Sequence, residues 1–344
     1  MKKNITTIFD TGRPISPVAY IGLGKSNGYN EVALDTNSYA WAWGNNQYGQ
    51  LGDNTTFNRS APIRIVGEQQ WKAIAFGYAA IALDPNSYAW AWGYNTTGQL
   101  GNNATNNGSS PISVIGGKQW RAISSGHEHA MALDSNSYAW CWGQNTEGQL
   151  GDNTTSNQSS PISVVGGKQW RVATCHDYGS LCLDPNSYAW AWGNGDWATL
   201  GDNTVARRSS PTSVVGGKQW LKVSANLYTC IALDPNSYAW CWGYNSGGAV
   251  GDNTESNRSS PTSVIGGKQF AFVSGGGNVG GPDSFKCFCT ALELAGPGSY
   301  RAWSWGINSV GELGNSTISH ASSPTLVTIP ITSGIPTQPF GKRY

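Results

Sequence analysis

Asn86-Ser87-Tyr88-Ala89-Trp90-Ala91-Trp92-Gly93 decides the fold, because the chain repeats it almost letter for letter. Its last Trp recurs as Trp43, Trp92, Trp142, Trp192, Trp242 and Trp305. A spacing of about 50 residues marks a propeller or a solenoid. In an extended strand side chains alternate faces. Tyr88, Trp90 and Trp92 then share one face, and Ala89 and Ala91 take the other. A sheet with large rings on one face and small groups on the other can nest against a copy of itself, so the stretch specifies blade-on-blade packing.

Composition supports a ring-built core. Every Trp except Trp197 falls at a repeat position: the Trp-x-Trp-Gly motifs, and Trp71, Trp120, Trp170 and Trp220 ahead of the next unit. Buried rings bring large apolar areas, so such a core needs few Leu or Ile. Charged residues are 12% of the 344 and the net charge is +1, against roughly 25% charged in an ordinary domain. No basic run offers a footprint for nucleic acid. No stretch reaches the roughly 18 apolar residues of a membrane span, so membrane insertion is not expected. Met1 to Asp10 has two Lys but no apolar segment behind them, unlike a secretion signal. Localisation on a virion or extracellular surface, or else in the cytoplasm, stays open.

The units read as four short strands separated by Gly, Asn and Pro signals, the pattern of a propeller blade. In residues 121–170 these are Arg121 to Ser125, Ala130 to Leu133, Tyr138 to Trp142 and Pro161 to Val164, with a long loop from Gly143 to Ser160. Six units result, at about 17–70, 71–120, 121–170, 171–220, 221–270 and 271–330; seven blades is the weaker count. The expected architecture is an all-β, six-bladed β-propeller whose ring is closed by N- and C-terminal strands sharing one blade. Residues 1–16 read as an extended arm, 331–344 as a tail, and Gly275 to Phe285 as a Gly-rich insertion in the sixth unit.

Trp142-Gly143-Gln144-Asn145-Thr146-Glu147-Gly148-Gln149-Leu150-Gly151, followed by Pro161 and Val164 and preceded by Gly126-x-x-His129-x-x-Ala132-Leu133, resembles the repeat of the regulator of chromosome condensation family. The resemblance covers about nine-tenths of the chain and implies the fold. It does not imply one function, because relatives include a seven-bladed exchange factor for a small GTPase, ubiquitin-ligase modules and a β-lactamase inhibitor. The chain departs from that pattern in its six nearly identical units. It keeps the family's His only at His129, where the other units have Asn30, Ala79, Gly179, Thr229 and Phe288. It has no wedge-like insertion and no basic tails.

Candidate chemistry is sparse. His127-Glu128-His129 and His176-Asp177 fall on equivalent loops of neighbouring units, where a metal or a general base could be assembled, but ordinary loop hydrogen bonding is the stronger reading. The recurrent Asp53, Asp152, Asp202 and Asp252, with Asn102 and Asn315 as variants, supply one carboxylate per unit. That is too few for calcium and suits a side chain capping its own loop. Cys141, Cys182, Cys230 and Cys241 alternate with Ala, which marks small buried slots; a disulfide between Cys230 and Cys289 is the alternative for that pair. No catalytic residue, metal or cofactor is assigned.

Comparison of the repeats with one another isolates two variable patches on an otherwise constant frame. One precedes the second strand and contains Tyr78, His127, His129, His176, Tyr178 and Tyr228; the other follows Trp-Gly and contains Tyr94, Trp197 and Tyr244. Binding residues concentrate on loops of rigid scaffolds, and Tyr, Trp and His are common interface anchors. The chain is therefore expected to be a non-enzymatic binding or structural module. The leading expectation is a surface-displayed component of a phage or virus particle. Its partners would be neighbouring subunits through residues 1–16 and 331–344, or a glycan or host receptor. The alternative is a soluble regulator or inhibitor of one protein.

Overall fold

The structure, a computed structural model, describes residues 18–23, 30–278, 286–296 and 299–328. Within them the chain forms six four-stranded antiparallel sheets of consecutive strands, the blades of a β-propeller. Blades 1 to 6 span residues 18–64, 73–113, 120–163, 172–213, 222–263 and 270–326. The arm at 1–16, the tail at 331–344 and residues 279–285 of the insertion lie outside the described residues. The rest of the insertion, Gly275 to Asn278, extends the first strand of blade 6, which pairs as far as Asn278 with Lys286.

The expected closing device is not found among the described residues. Val18–Leu23 pairs with Asn30–Asp35 in blade 1, while Ala321–Leu326 pairs with Ser299–Gly306 in blade 6. Each blade thus completes itself, because Val18–Leu23 supplies the first strand that a shared blade would have borrowed.

Blade 3 shows how local sequence makes a blade. Its strands are Trp120–Ser125, His129–Asp134, Ala139–Gly143 and Gln158–Ser163. The fourth starts earlier than its Pro suggests, because Gly143 pairs with Gln158 across a register shift and admits an irregular stretch. At the other end of the hairpin, the Asp134 carboxylate accepts the Asn136 and Tyr138 backbone N–H groups and the Trp140 indole N–H. One Asp therefore closes the turn and aims the first Trp of Trp-x-Trp. Lys118 lies 4.0 Å over that ring, as Lys168 does over Trp190 and Lys218 over Trp240.

The core lies between blades. Trp142 packs with Ile81, Leu83, Ala89, Ala91 and Leu100 of blade 2, so the ring face of one sheet meets the small-residue face of the sheet before it. The same clusters recur at the next seams. Five seams carry one polar clasp each. Trp92, Trp142, Trp192, Trp242 and Trp305 donate their indole N–H to Gln50, Gln99, Gln149, Thr199 and Ala249 O at 2.9 to 3.1 Å. A backbone bond accompanies each clasp, from Asn54, Asn103, Asn153, Asn203 and Asn253 N–H to a Ser carbonyl of the following blade. The loop reaches the indole only because it has no side chain there: a Cβ on Gly101, whose φ is +65°, would lie 2.7 Å from Trp142 Nε1.

The Cys residues fill slots, as expected from their exchange with Ala. All seven are free and buried, Cys230 and Cys289 included. Burial pushes the Cys287 thiol up to about 12, which keeps it uncharged and poorly nucleophilic.

Candidate protein-binding face

An antiparallel meander sorts its loops by end. Connections from first to second strand and from third to fourth emerge at one end of every blade, while the Asp-x-Asn-Ser turns and Gly-Gly-Lys turns emerge at the other. Both variable patches therefore lie at the same end, and the constant turns lie opposite.

At the variable end aromatic rings run unbroken across five blades. Tyr94 lies 4.8 Å from Tyr48 and 5.8 Å from Tyr78. Tyr78 lies 4.1 Å from His127, which lies 5.6 Å from Tyr178. Tyr178 stacks on Tyr228 at 6.0 Å, and Trp197 stands edge-on to Tyr228 and, at 5.2 Å, to Tyr244. Tyr78, Tyr94, Tyr178, Trp197 and Tyr244 are half-buried, leaving part of each ring at the surface. Tyr228 is buried beneath them beside Leu227, Ala249 and Cys287.

Two further candidates lie outside this run of rings. His129 is 1% exposed with Nε2 3.3 Å from Ser180 Oγ, and His176 is 2% exposed. Each ends or begins a strand, so it points into a seam and not along the loop. Among the described residues no three His, Cys, Asp or Glu side chains gather to hold a metal ion.

Acidic groups lie among the rings. Glu128 Oε1 is 3.7 Å from His127 Nδ1, and burial raises the Glu128 carboxyl. Burial holds His127 down to about 4, so the ring is neutral at pH 7. The Tyr178 hydroxyl is pushed up by burial and then by Asp177, Glu128 and Glu147. All three act as neutral or acceptor groups at neutral pH.

The remaining geometry escaped the sequence reading. Asn46, Asn95, Asn145, Asn245 and Asn308 are fully buried and organise the long loops. In blade 3 the Asn145 Oδ1 accepts Leu150 N–H, while its Nδ2 donates to Asp152 and Thr154. Asp152 in turn accepts Thr154 N–H, the self-capping expected of it. Blade 4 breaks the rule at Gly195, where a Cβ would lie 2.1 Å from Ala206 O. There Arg207 replaces the loop's other Asn and bridges Glu147 at 2.9 Å and Asp196 at 2.6 Å. Asp196 of that network immediately precedes Trp197. The signal in the sequence was Arg207 itself, standing where Asn157 and Asn257 stand in their units.

A repeat propeller with a clasped Trp in each successive seam and a variable loop end is a scaffold of the regulator of chromosome condensation type. Residues 39–81, 88–133 and 138–183 match the family model described as the Regulator of chromosome condensation (RCC1) repeat, and residues 120–149 match a second model of that description. Within those residues the chain carries regulator of chromosome condensation repeats. Among solved structures it is similar to that of Kap60 bound to yeast RCC1 (Prp20), with a TM-score of 0.76 and 18% identity over 91% of this chain and 75% of that one. It is also similar to Prp20p from Saccharomyces cerevisiae, with a TM-score of 0.75 and 19% identity over 91% and 77%. Human WBSCR16 gives a TM-score of 0.66 and 22% identity over 75% and 69%. No curated protein sequence matches the chain.

Proposed function

We propose that this chain is a non-enzymatic protein-binding propeller that engages a partner through its variable end. The observation that carries the reading is the continuous run of half-buried rings from Tyr94 to Tyr244 on a rigid frame. Large aromatic groups with restricted rotamers give contact area at low entropic cost. The half-buried Glu128 among them favours a partner segment that brings Lys or Arg together with apolar groups. The similar structures give the reading precedent: Prp20p binds Gsp1p and histones, and yeast RCC1 (Prp20) is bound by Kap60. A soluble regulator or inhibitor thus leads over a particle component.

A photo-crosslinking residue placed at Trp197, with a control at Tyr138 on the opposite end, tests it. The expected result is a discrete partner captured from Trp197 and lost when Tyr178 and Tyr244 are replaced by Ala. Equal capture from both ends, or none from Trp197, would overturn the reading.

A further inference from the structure

The residue after Trp71, Trp120, Trp170, Trp220 and Phe270 leads into the first strand of its blade, at the end opposite the aromatic rings. It is Lys72, Arg121, Arg171, Leu221 and Ala271 in turn. Arg therefore follows Arg only from blade 3 to blade 4. A hollow of about 380 Å³ opens at that seam, lined by Arg121, Arg171, Ser137, Gln169, Trp170 and Pro185. Its volume falls within the range of small-ligand pockets, and no carboxylate is among its lining residues.

Both guanidinium groups are held in place and only partly used. Arg121 reaches across the seam, where its Nη2 donates to Trp170 O and, at 3.3 Å, to Arg171 O. Arg171 makes the same reach into blade 5, to Trp220 O at 2.8 Å and Leu221 O at 3.4 Å. Each spends Nη2 alone, so the Nε and Nη1 hydrogens of both have no acceptor among the described residues. No carboxylate there pairs with either Arg. Ser137 adds a hydroxyl whose equivalent in blade 2, Ser87 Oγ, is taken by the Lys72 ammonium at 2.8 Å. The change from Lys72 to Arg121 thus carries the cation across the seam and leaves the Ser137 hydroxyl uncovered.

We infer that this hollow binds the phosphoryl group of a small ligand, either inorganic phosphate or a phosphate monoester. Two fixed positive charges match a dianion, whereas one carboxylate would leave a guanidinium uncompensated. The planar fork of Arg N–H groups suits phosphate oxygens taken in pairs, and the Ser137 hydroxyl supplies a further donor. Because both side chains are already tethered to carbonyls, little rotamer freedom is lost on binding. The neighbouring seams lack the pair: Lys72 covers its own Ser87 at one, and Leu221 replaces the second Arg at the other. One such site per chain is expected. It lies at the end away from the aromatic run, so its ligand does not compete with a protein held on the rings.

Isothermal titration of the full chain with inorganic phosphate, glycerol phosphate and a phosphoserine peptide, at an ionic strength fixed with chloride, tests the site. The expected result is one saturable site for a small phosphate, weakened roughly tenfold or more by Arg121→Gln and by Arg171→Gln. Tighter binding of glycerol phosphate marks an ester as the ligand, and tighter binding of inorganic phosphate marks the free ion; both support the site. Leu221→Arg alters a side chain that is 47% exposed and gives the next seam its second guanidinium. The stoichiometry should then rise from one to two, a gain that decides the matter even if an Arg variant fails to fold. Absence of saturable binding, binding that survives both Arg substitutions, or a stoichiometry unmoved by Leu221→Arg would overturn the inference. A phosphoserine peptide that binds more tightly than either small phosphate would overturn the assignment to a free ligand.

Discussion

A single indole measures how well a seam is made. Trp142 is buried on every side and donates to Gln99 O at 3.0 Å, so Trp142→Ala leaves both a cavity and an unpaired carbonyl. The expected loss is roughly 3–5 kcal/mol. Trp43→Ala, where the ring is only partly buried and its indole N–H has no acceptor among the described residues, should cost less than half as much in the same urea titration; equal losses would show that Trp43 is covered in solution. His127 gives a second measure. Burial depresses its folded pKa to about 4 from an unfolded value of 6.5, so between those values the unfolded chain takes up a proton that the folded one refuses. Stability therefore falls on acidification through that window, by at most about 3 kcal/mol. Glu128, raised by burial, binds its proton more readily in the folded state and partly offsets the loss. The difference between wild type and His127→Asn, measured at pH 7 and pH 4.5, isolates the imidazole. Parallel values at both pH values would mean that His127 is charged within the fold.

Among the elements, the long loop after Trp-Gly is the most tightly specified and was the least legible. Its governing residue, Asn145, is buried with its amide shared among Leu150, Asp152 and Thr154. Asn145→Ala should cost about 2–4 kcal/mol, since buried backbone and carboxylate groups lose their partners together. Asp152→Asn should change the melting temperature little, because Asn102 and Asn315 already make the same turn. The reverse order of effects in calorimetry would show that the carboxylate, and not the buried amide, holds the loop. Strand positions, ring faces and the self-capping Asp were readable because alternation and turn chemistry act over a few residues. Asn145 was not, because its partners lie five to nine residues away and depend on the loop's path. For the same reason the sequence gathered Tyr78, Tyr178 and Trp197 as variable loop residues but could not show that Tyr48 joins them, nor that His129 and His176 turn inward.

The whole molecule has a gradient of stability written into its topology. Blades 2 to 5 are packed on both faces, whereas among the described residues no hydrophobic cluster or indole clasp joins blade 6 to blade 1. In quasi-one-dimensional proteins each unit is stabilised by its own contacts and those of its neighbours. Amide exchange should be slowest in residues 130–133 and 181–183 and fastest, among strand amides, in residues 40–44 and 302–305. Uniform protection around the molecule would show that the first and last blades are bound to something. The same topology separates two kinds of freedom: the loops at the aromatic end vary without disturbing the turns at the other.

Blades that each finish their own hydrogen bonding, the first and last included, set no strand-pairing limit on their number. A chain of this kind can lengthen or shorten by a whole blade and leave the strand pairing of every other blade as it was. Unequal recombination between its nearly identical segments would therefore yield descendants in which each remaining blade keeps its own sheet.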